Sequence, residues 1–366
     1  MLISLAWLRR YVAVDLAPEA LGQILTMAGF PVVSIEHVSD GDVRLDVEIT
    51  SNRPDLQSHI GVAREVAAAV RGRVTLPGIE LPPLSEDSID VGVDAPDLCP
   101  LYTARVVRGV RVGPSPAWLR SALEAAGQRS VNNVVDVTNF VLLECGHPLH
   151  AFDLARLAGP RVVARRAAGE RLVAIDGSEV TLGADECAIA DAARPVALGG
   201  VLCGADSDVT DETRDLVLEC ALFAPLAIRA ASRRHQVRSE SSFRFERFVD
   251  PAGARWASDR AAALLVELCG ATSVGPIRAA GPGVEAHAAE ISLRTAQVAR
   301  VLGIAVPDHE IRTELAALGL EERGGGADGV TTWRVPSWRR DLVEEIDLVE
   351  EVARRVGFDR VPHDVR

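Results

Sequence analysis

Apolar residues recur at helical spacing over 18–27 and alternate like strands over 32–38 and 43–49, which predicts a small α/β unit at residues 1–73. Pro18 suits the first helical turn, where no amide donor is required, and Gly29 marks the far end. The loop Thr50-Ser51-Asn52-Arg53-Pro54-Asp55 leads into a helix around 60–70. Residues 74–90, with Pro77-Gly78, Pro82-Pro83 and several acids, have the composition of a linker.

A second, strand-rich unit is expected over 91–273. Strand-like runs fall at 104–112 and 161–167, and helical ones at 116–126 and 251–269, the latter closed by Gly270. At 196–204 an apolar strand breaks into Gly199-Gly200 and ends at Cys203-Gly204. Glycine there admits a ligand close to the backbone, and a tight turn accounts for it equally well. A linker at 274–290 precedes a third unit, 291–366. Helices near 295–301 and 307–318, a glycine loop at 324–326, the segment 333–336 and a long acidic helix predict a winged-helix-like module. The expected fold class is α+β, in several domains, with a β-rich core in the middle one.

The segment 130–154, SVNNVVDVTNFVLLECGHPLHAFDL, tells the most. A valine-rich run at 134–137 reads as a strand ending at Thr138-Asn139. Gly146 and Pro148 then bracket His147, with His150 and Asp153 close behind. Turn-formers beside two imidazoles and small polar groups predict a pocket wall. A hydrogen-bonded loop histidine is the alternative for either ring.

With 366 residues the chain can build two or three domains, each with its own core. No apolar run reaches the roughly 18 residues of a membrane span, and Arg9-Arg10 interrupt the apolar start where a signal peptide needs an unbroken core. A cytoplasmic protein is expected. All 39 basic residues are arginine, which excludes a P-loop lysine, a Schiff-base lysine and a Ser–Lys dyad. The six cysteines form no CxxC pair and read as small buried hydrophobes. A net charge of −13 argues against a surface coated for nucleic acid, so RNA would bind at a local patch.

One such patch is Arg229, Arg233, Arg234, Arg238, Arg244 and Arg247, with Phe243 and Phe245 interleaved. It could grip phosphates or stack a base, and a solvated helix face explains it as well. Glu219 sits in an apolar strand, where a carboxylate either holds an arginine or reads a ligand. From Asp341 to Glu351 there are six acids and no base. On a helix Asp347 crowds Glu350 and Glu351, which a hard cation such as Mg²⁺ would relieve; a solvated face is again the alternative.

Three colinear stretches together resemble the β subunit of bacterial-type phenylalanyl-tRNA synthetases. They are Trp7-Leu8-Arg9 through TSNRPD at 50–55 and GVARE at 61–65; VVDVTNFVLLECGHPLHAFD with Gly199-Gly200, Leu218-Glu219-Cys220 and FRFER at 243–247; and PSWRRD at 336–341 with DLVEEVARRVGFDRVP at 347–362. The chain departs from the family pattern in three ways. His37-Val38 passes almost directly to Val43 where the family inserts an oligonucleotide-binding fold. The catalytic-like and anticodon-binding domains that complete the family's subunit are not in the sequence. Cys203, Ser239 and Ser241 stand where small or Thr-type residues are usual.

The resemblance implies an N-terminal domain, an editing domain and a winged-helix-like domain, in a subunit of an α2β2 heterotetramer that charges tRNA(Phe) with phenylalanine using ATP. It implies an editing pocket of Thr138, Asn139, His150 and Glu219, with Gly199, Gly200, Ser239 and Ser241 holding substrate, and Arg233 and Arg244 of the arginine patch are the further candidates for substrate binding. Glu219 would accept the hydroxyl of a misattached tyrosine, and His150 would orient the terminal adenosine or the attacking water. It further implies Mg²⁺ at Asp341, Asp347, Glu350 and Glu351, near the α-subunit interface. The alternative is a stand-alone trans-editing or tRNA-binding paralogue without ligase activity.

Overall fold

A computed structural model describes residues 1–38, 41–284, 289–325 and 329–362. The chain divides into two compact units, one built from residues 1–77 together with 285–366, the other from 78–284.

In the first unit, β1 (Leu2–Ser4), α1 (Leu5–Leu8), α2 (Pro18–Met27), β2 (Val32–His37), β3 (Val43–Val47) and α3 (His59–Ala69) follow in order. The strands form an antiparallel sheet, β1-β3-β2, in which β2 and β3 pair as a hairpin. Ser58 caps α3 by accepting from the Gly61 amide, and the His59 ring stacks on Trp7 at 3.9 Å.

The second unit begins with β4 (Asp90–Val93), β5 (Leu101–Arg108), α4 (Ala117–Ala125), α5 (Asn133–Cys145) and β6 (Leu149–Asp153). Next come β7 (Arg161–Arg166), β8 (Arg171–Val173), β9 (Glu179–Thr181), β10 (Cys187–Ala190), β11 (Pro195–Leu198), β12 (Leu202–Cys203) and β13 (Asp215–Leu222). It closes with α6 (Pro225–Arg234), α7 (Glu240–Phe245), α8 (Gly253–Cys269), β14 (Ser273–Val274) and β15 (Arg278–Ala280). The last two strands pair with β5, so much of the span read as a linker after residue 273 belongs to this unit.

Two sheets face each other here, ordered β12-β11-β10-β7-β4 and β14-β5-β13-β6. Their inner faces share one core that includes Tyr102, Phe152, Val162, Ile189, Leu198, Val217 and Ala221. The other face of the second sheet is covered by helix. Cys220 bonds the Ala254 carbonyl at the start of α8, and Arg105 pairs with Asp259 on that helix at 2.5 Å. Burial on both faces explains why β13 reads as a nearly unbroken apolar run.

The valine run at 134–137 is helical, not a strand end. Asn132 caps α5 by accepting from the amides of Val134 and Val135, and buried Asp136 accepts from Ser115, Ser130 and the Val131 amide. Val134, Val137, Phe140 and Val141 then lie buried along one stripe. Tertiary burial and this cap outweigh the β preference of branched residues.

The rest of the first unit is β16 (Glu290–Arg294), α9 (Thr295–Leu302), α10 (Asp308–Ala317), β17 (Glu321–Gly325), β18 (Val330–Arg334) and α11 (Glu345–Val356). The sheet order is β16-β18-β17. Of the expected glycine loop, Gly324 and Gly325 belong to β17 and Gly326 lies outside the described residues.

Candidate functional site

β6 and β12 are edge strands of the two facing sheets. Where these edges approach, with α5 on one side and the start of α7 on the other, a cavity of about 360 Å³ opens. Its walls are mostly apolar, with Val135, Leu149, Phe152, Leu198, Val237 and Phe245 among them. That size and character suit a small organic ligand.

Strand register places the polar groups. Glu219 on β13 stands opposite His150 on β6, and its inner-face neighbours along the strand are the core residues Val217 and Ala221. The Tyr102 hydroxyl on β5 donates to Glu219 Oε2 at 2.8 Å. No arginine meets Glu219 among the described residues, so burial dominates. It raises the carboxyl from 4.5 to about 7, against the smaller lowering effect of the Tyr102 bond. Near neutrality this group exists in both protonation states.

Burial acts the opposite way on His150, lowering it to about 4 and leaving the ring neutral at pH 7. Its Nδ1 lies 3.2 Å from Cys203 Sγ, and its Nε2 is shut off from solvent without a hydrogen-bond partner among the described residues. Phe152 meets the ring edge-on at 4.5 Å. His147 points elsewhere: its Nε2 contacts the Ala221 carbonyl, and burial holds it too at about 4. It is a structural residue.

Thr138, Asn139, His150, Gly200, Glu219, Ser239 and Ser241 all line the cavity. Thr138 spends its hydroxyl on the Val135 carbonyl one turn back, whereas the Asn139 and Ser241 side chains have no protein partner among the described residues. Ser239 caps α7 and donates to the Val201 carbonyl at 3.1 Å, tying the helix to the glycine turn. Gly200 has a φ of +69°, and a Cβ there would meet Phe223, Ile228 and Phe245 at 2.8–2.9 Å. Gly199 stands behind the wall, where a Cβ would come within 2.7 Å of the Phe223 ring. The glycine pair is required by the turn and by these aromatic rings.

Two expected substrate residues are elsewhere. Arg233 is exposed on α6, outside the cavity lining, and Arg244 is buried in an ion pair with Glu240 at 2.6 Å. Much of the arginine patch is likewise engaged: Arg234 with Asp185 and Glu186, Arg238 and Arg247 over the Phe243 ring. Sequence reasoning missed Tyr102 and the pairing of Cys203 with His150. The first had a signal, since a tyrosine on the inward phase of a buried strand needs a partner for its hydroxyl.

The acidic run in the first unit does not gather around an ion. Asp341 accepts both nitrogens of a bidentate bond from Arg339, and Glu351 is buried between Arg339 and Arg354. Asp347 accepts from the amides of Val343 and Glu344 at the start of α11, while Glu350 is exposed. Among the described residues no three His, Cys, Asp or Glu side chains are placed to hold a metal. The four carboxylates therefore do not fit Mg²⁺ as this chain arranges them. Asp341 and Glu351 instead belong to a buried chain of charges in which Arg354 also reaches Glu65 at 2.7 Å and Arg53 joins Glu65 to Asp55. Glu65 and Glu351 are held at about 2 by these guanidinium groups against the cost of burial.

No helix among the described residues is long and apolar enough to cross a membrane. Residues 98–270 match the B3/4 domain family, and residues 291–358 match the tRNA synthetase B5 domain family. The phenylalanine–tRNA ligase β subunit of Rhodopirellula baltica is 46% identical over 368 residues, covering 100% of this chain and 54% of that protein. Its counterpart from Anaeromyxobacter dehalogenans is 45% identical over 358 residues, covering 95% and 44%. This chain thus spans about half the length of these relatives. The crystal structure of an N-terminal fragment of the Pyrococcus horikoshii phenylalanyl-tRNA synthetase β-subunit shares the fold, with a TM-score of 0.55 over 97% of this chain and 99% of that one, at 15% identity. With both domain matches in order and 46% identity along its whole length to a protein about twice as long, this chain corresponds to about half of a phenylalanine–tRNA ligase β subunit, the part that carries the B3/4 and B5 domains.

Proposed function

We propose that the chain acts as the β-subunit part of a phenylalanine–tRNA ligase, and that its cavity hydrolyses tyrosyl-tRNA(Phe). The observation that carries this reading is Glu219: a carboxyl held by Tyr102 inside a mostly apolar cavity, facing His150 across the strand pair. Tyrosine differs from phenylalanine by one hydroxyl. An apolar pocket discriminates against such an addition by only about a hundredfold, whereas a buried polar group that requires it discriminates by roughly 10⁴–10⁵. Glu219 supplies that requirement, because phenylalanine would leave it without a second partner.

Hydrolysis adds water to the ester carbonyl and breaks the bond to the terminal ribose, releasing tyrosine and restoring the ribose hydroxyl. An aminoacyl ester needs chiefly a placed water, and His150, neutral at pH 7, can orient the ester or the terminal adenosine. The Asn139 and Ser241 side chains, without a protein partner among the described residues, offer further hydrogen bonds to the ribose or the water. Phenylalanine activation with ATP and Mg²⁺ belongs, on this reading, to the α subunit of an α2β2 assembly that binds tRNA(Phe). The chain alone would not aminoacylate.

The test is deacylation of tyrosyl-tRNA(Phe) by the αβ enzyme, wild type against Glu219→Ala. Loss of tyrosyl-tRNA hydrolysis with phenylalanine charging intact is expected. Unchanged hydrolysis in the variant would remove Glu219 from the role.

A further inference from the structure

Cys203 and His150 come from different sheets and meet at 3.2 Å, Sγ to Nδ1, in the cavity wall. Two arrangements are open to such a pair. The thiol can donate to Nδ1, which puts the ring proton on Nε2, or the ring can donate from Nδ1 to sulfur. We propose that Cys203 donates its S–H to His150 Nδ1, fixing the imidazole as a hydrogen-bond donor at Nε2, and that this donor receives an oxygen of the bound ester or ribose.

The chemistry of the two groups favours this direction. Sulfur is a weak acceptor and becomes a good one only as thiolate. Burial, with the Glu219 carboxyl nearby, pushes the Cys203 thiol well above its ordinary value, so it keeps its proton. The imidazole nitrogen is the better acceptor of the two, and burial keeps the ring neutral with one N–H to place. Edge-on contact with Phe152 restricts rotation of the ring. In this tautomer Nε2–H is a buried donor without a protein partner, a costly condition that an incoming oxygen relieves. His150 is then a donor that polarises or orients, and it is not the base that activates water. Cys203 acts through His150 and is a positioning residue.

The proposal rests on reading the cavity as an ester-hydrolysing site, yet its first test does not. In protein labelled with ¹⁵N-histidine, long-range ¹H–¹⁵N spectra at neutral pH assign the His150 tautomer, using His150→Gln to identify the signal. The S–H infrared band lost on Cys203→Ala reports whether that thiol donates. An Nε2–H tautomer with a red-shifted S–H band is expected; an Nδ1–H tautomer or a free-thiol band would overturn the pairing. In the αβ enzyme, Cys203→Ala should lower kcat for tyrosyl-tRNA hydrolysis about tenfold with KM nearly unchanged, and Cys203→Ser, which keeps a donor, should restore most of it. Unchanged kcat in Cys203→Ala overturns the positioning role. If wild type does not hydrolyse tyrosyl-tRNA, the reading of the cavity fails, and the spectra still decide the Cys203–His150 pair.

Discussion

Replacing Glu219 by glutamine should make the central unit more stable in alkaline solution while leaving it nearly unchanged in acid. Burial raises this carboxyl from 4.5 to about 7 in the folded chain. Below about pH 4.5 folded and unfolded chains both hold the proton, and the group contributes no pH dependence. Between that value and about 7 the folded chain keeps a proton that the unfolded chain has released, so stability falls as pH rises through this window. Above about 7 both states are ionised, and the full cost of burying the anion remains. The shift corresponds to roughly 3 kcal/mol. Glutamine keeps an acceptor for the Tyr102 hydroxyl and never ionises, so it avoids that cost. Urea titrations read by amide exchange in β13, wild type against Glu219→Gln, would measure it at about pH 5 and about pH 9. A difference growing by about 3 kcal/mol between these values is expected. The same difference at both would refute the claim that an uncompensated buried carboxylate lies on β13.

Gly200→Ala forces a side chain onto Phe223, Ile228 and Phe245 from a backbone at φ +69°, and should cost about 2–4 kcal/mol by denaturant titration. Arg354→Ala leaves Glu65 and Glu351 buried without their shared cation; a loss of about 3–5 kcal/mol is expected in the melting of the first unit. Tyr102→Phe removes the bond that lowers the Glu219 carboxyl, so a ¹³C titration of that carboxyl should move its midpoint above about 7. Mg²⁺ titrated into this chain alone should give the same heat with wild type and with Asp347→Asn, since the acidic residues are not arranged around an ion.

What could be read from the sequence was what short-range pattern determines. The helix Pro18–Met27 carries its own start signal in Pro18, and strand β3 alternates openly between buried and half-buried positions. α5 misled because all five residues after Asn133, three of them valines, favour strands or turns, and only the Asn132 cap and long-range burial decide for a helix. The cavity residues Thr138, Asn139, His150, Glu219, Ser239 and Ser241 were reached through family resemblance, since strand register and not spacing brings them together. Arg233 and Arg244 were grouped by proximity in sequence, yet α6 and α7 turn them away from the cavity. The acids at 341–351 show the same limit. Spacing along a helix counts like charges, but it cannot show arginines arriving from a loop such as that of Arg339, or a carboxylate as distant as Glu65.

The buried chain of charges has a consequence for the order in which the protein can be made. Arg354 and Glu65 are separated by 289 positions, and the whole central unit lies between them. During synthesis that unit can emerge and close its own core while Glu65 on α3 still lacks Arg354. Until α11 leaves the ribosome, Glu65 has only Arg53 to offset its burial. Residues 1–77 are therefore translated before the central unit yet reach their final stability after it, and chains stalled before residue 354 should be cleaved by protease within residues 1–77 well before the central unit is attacked.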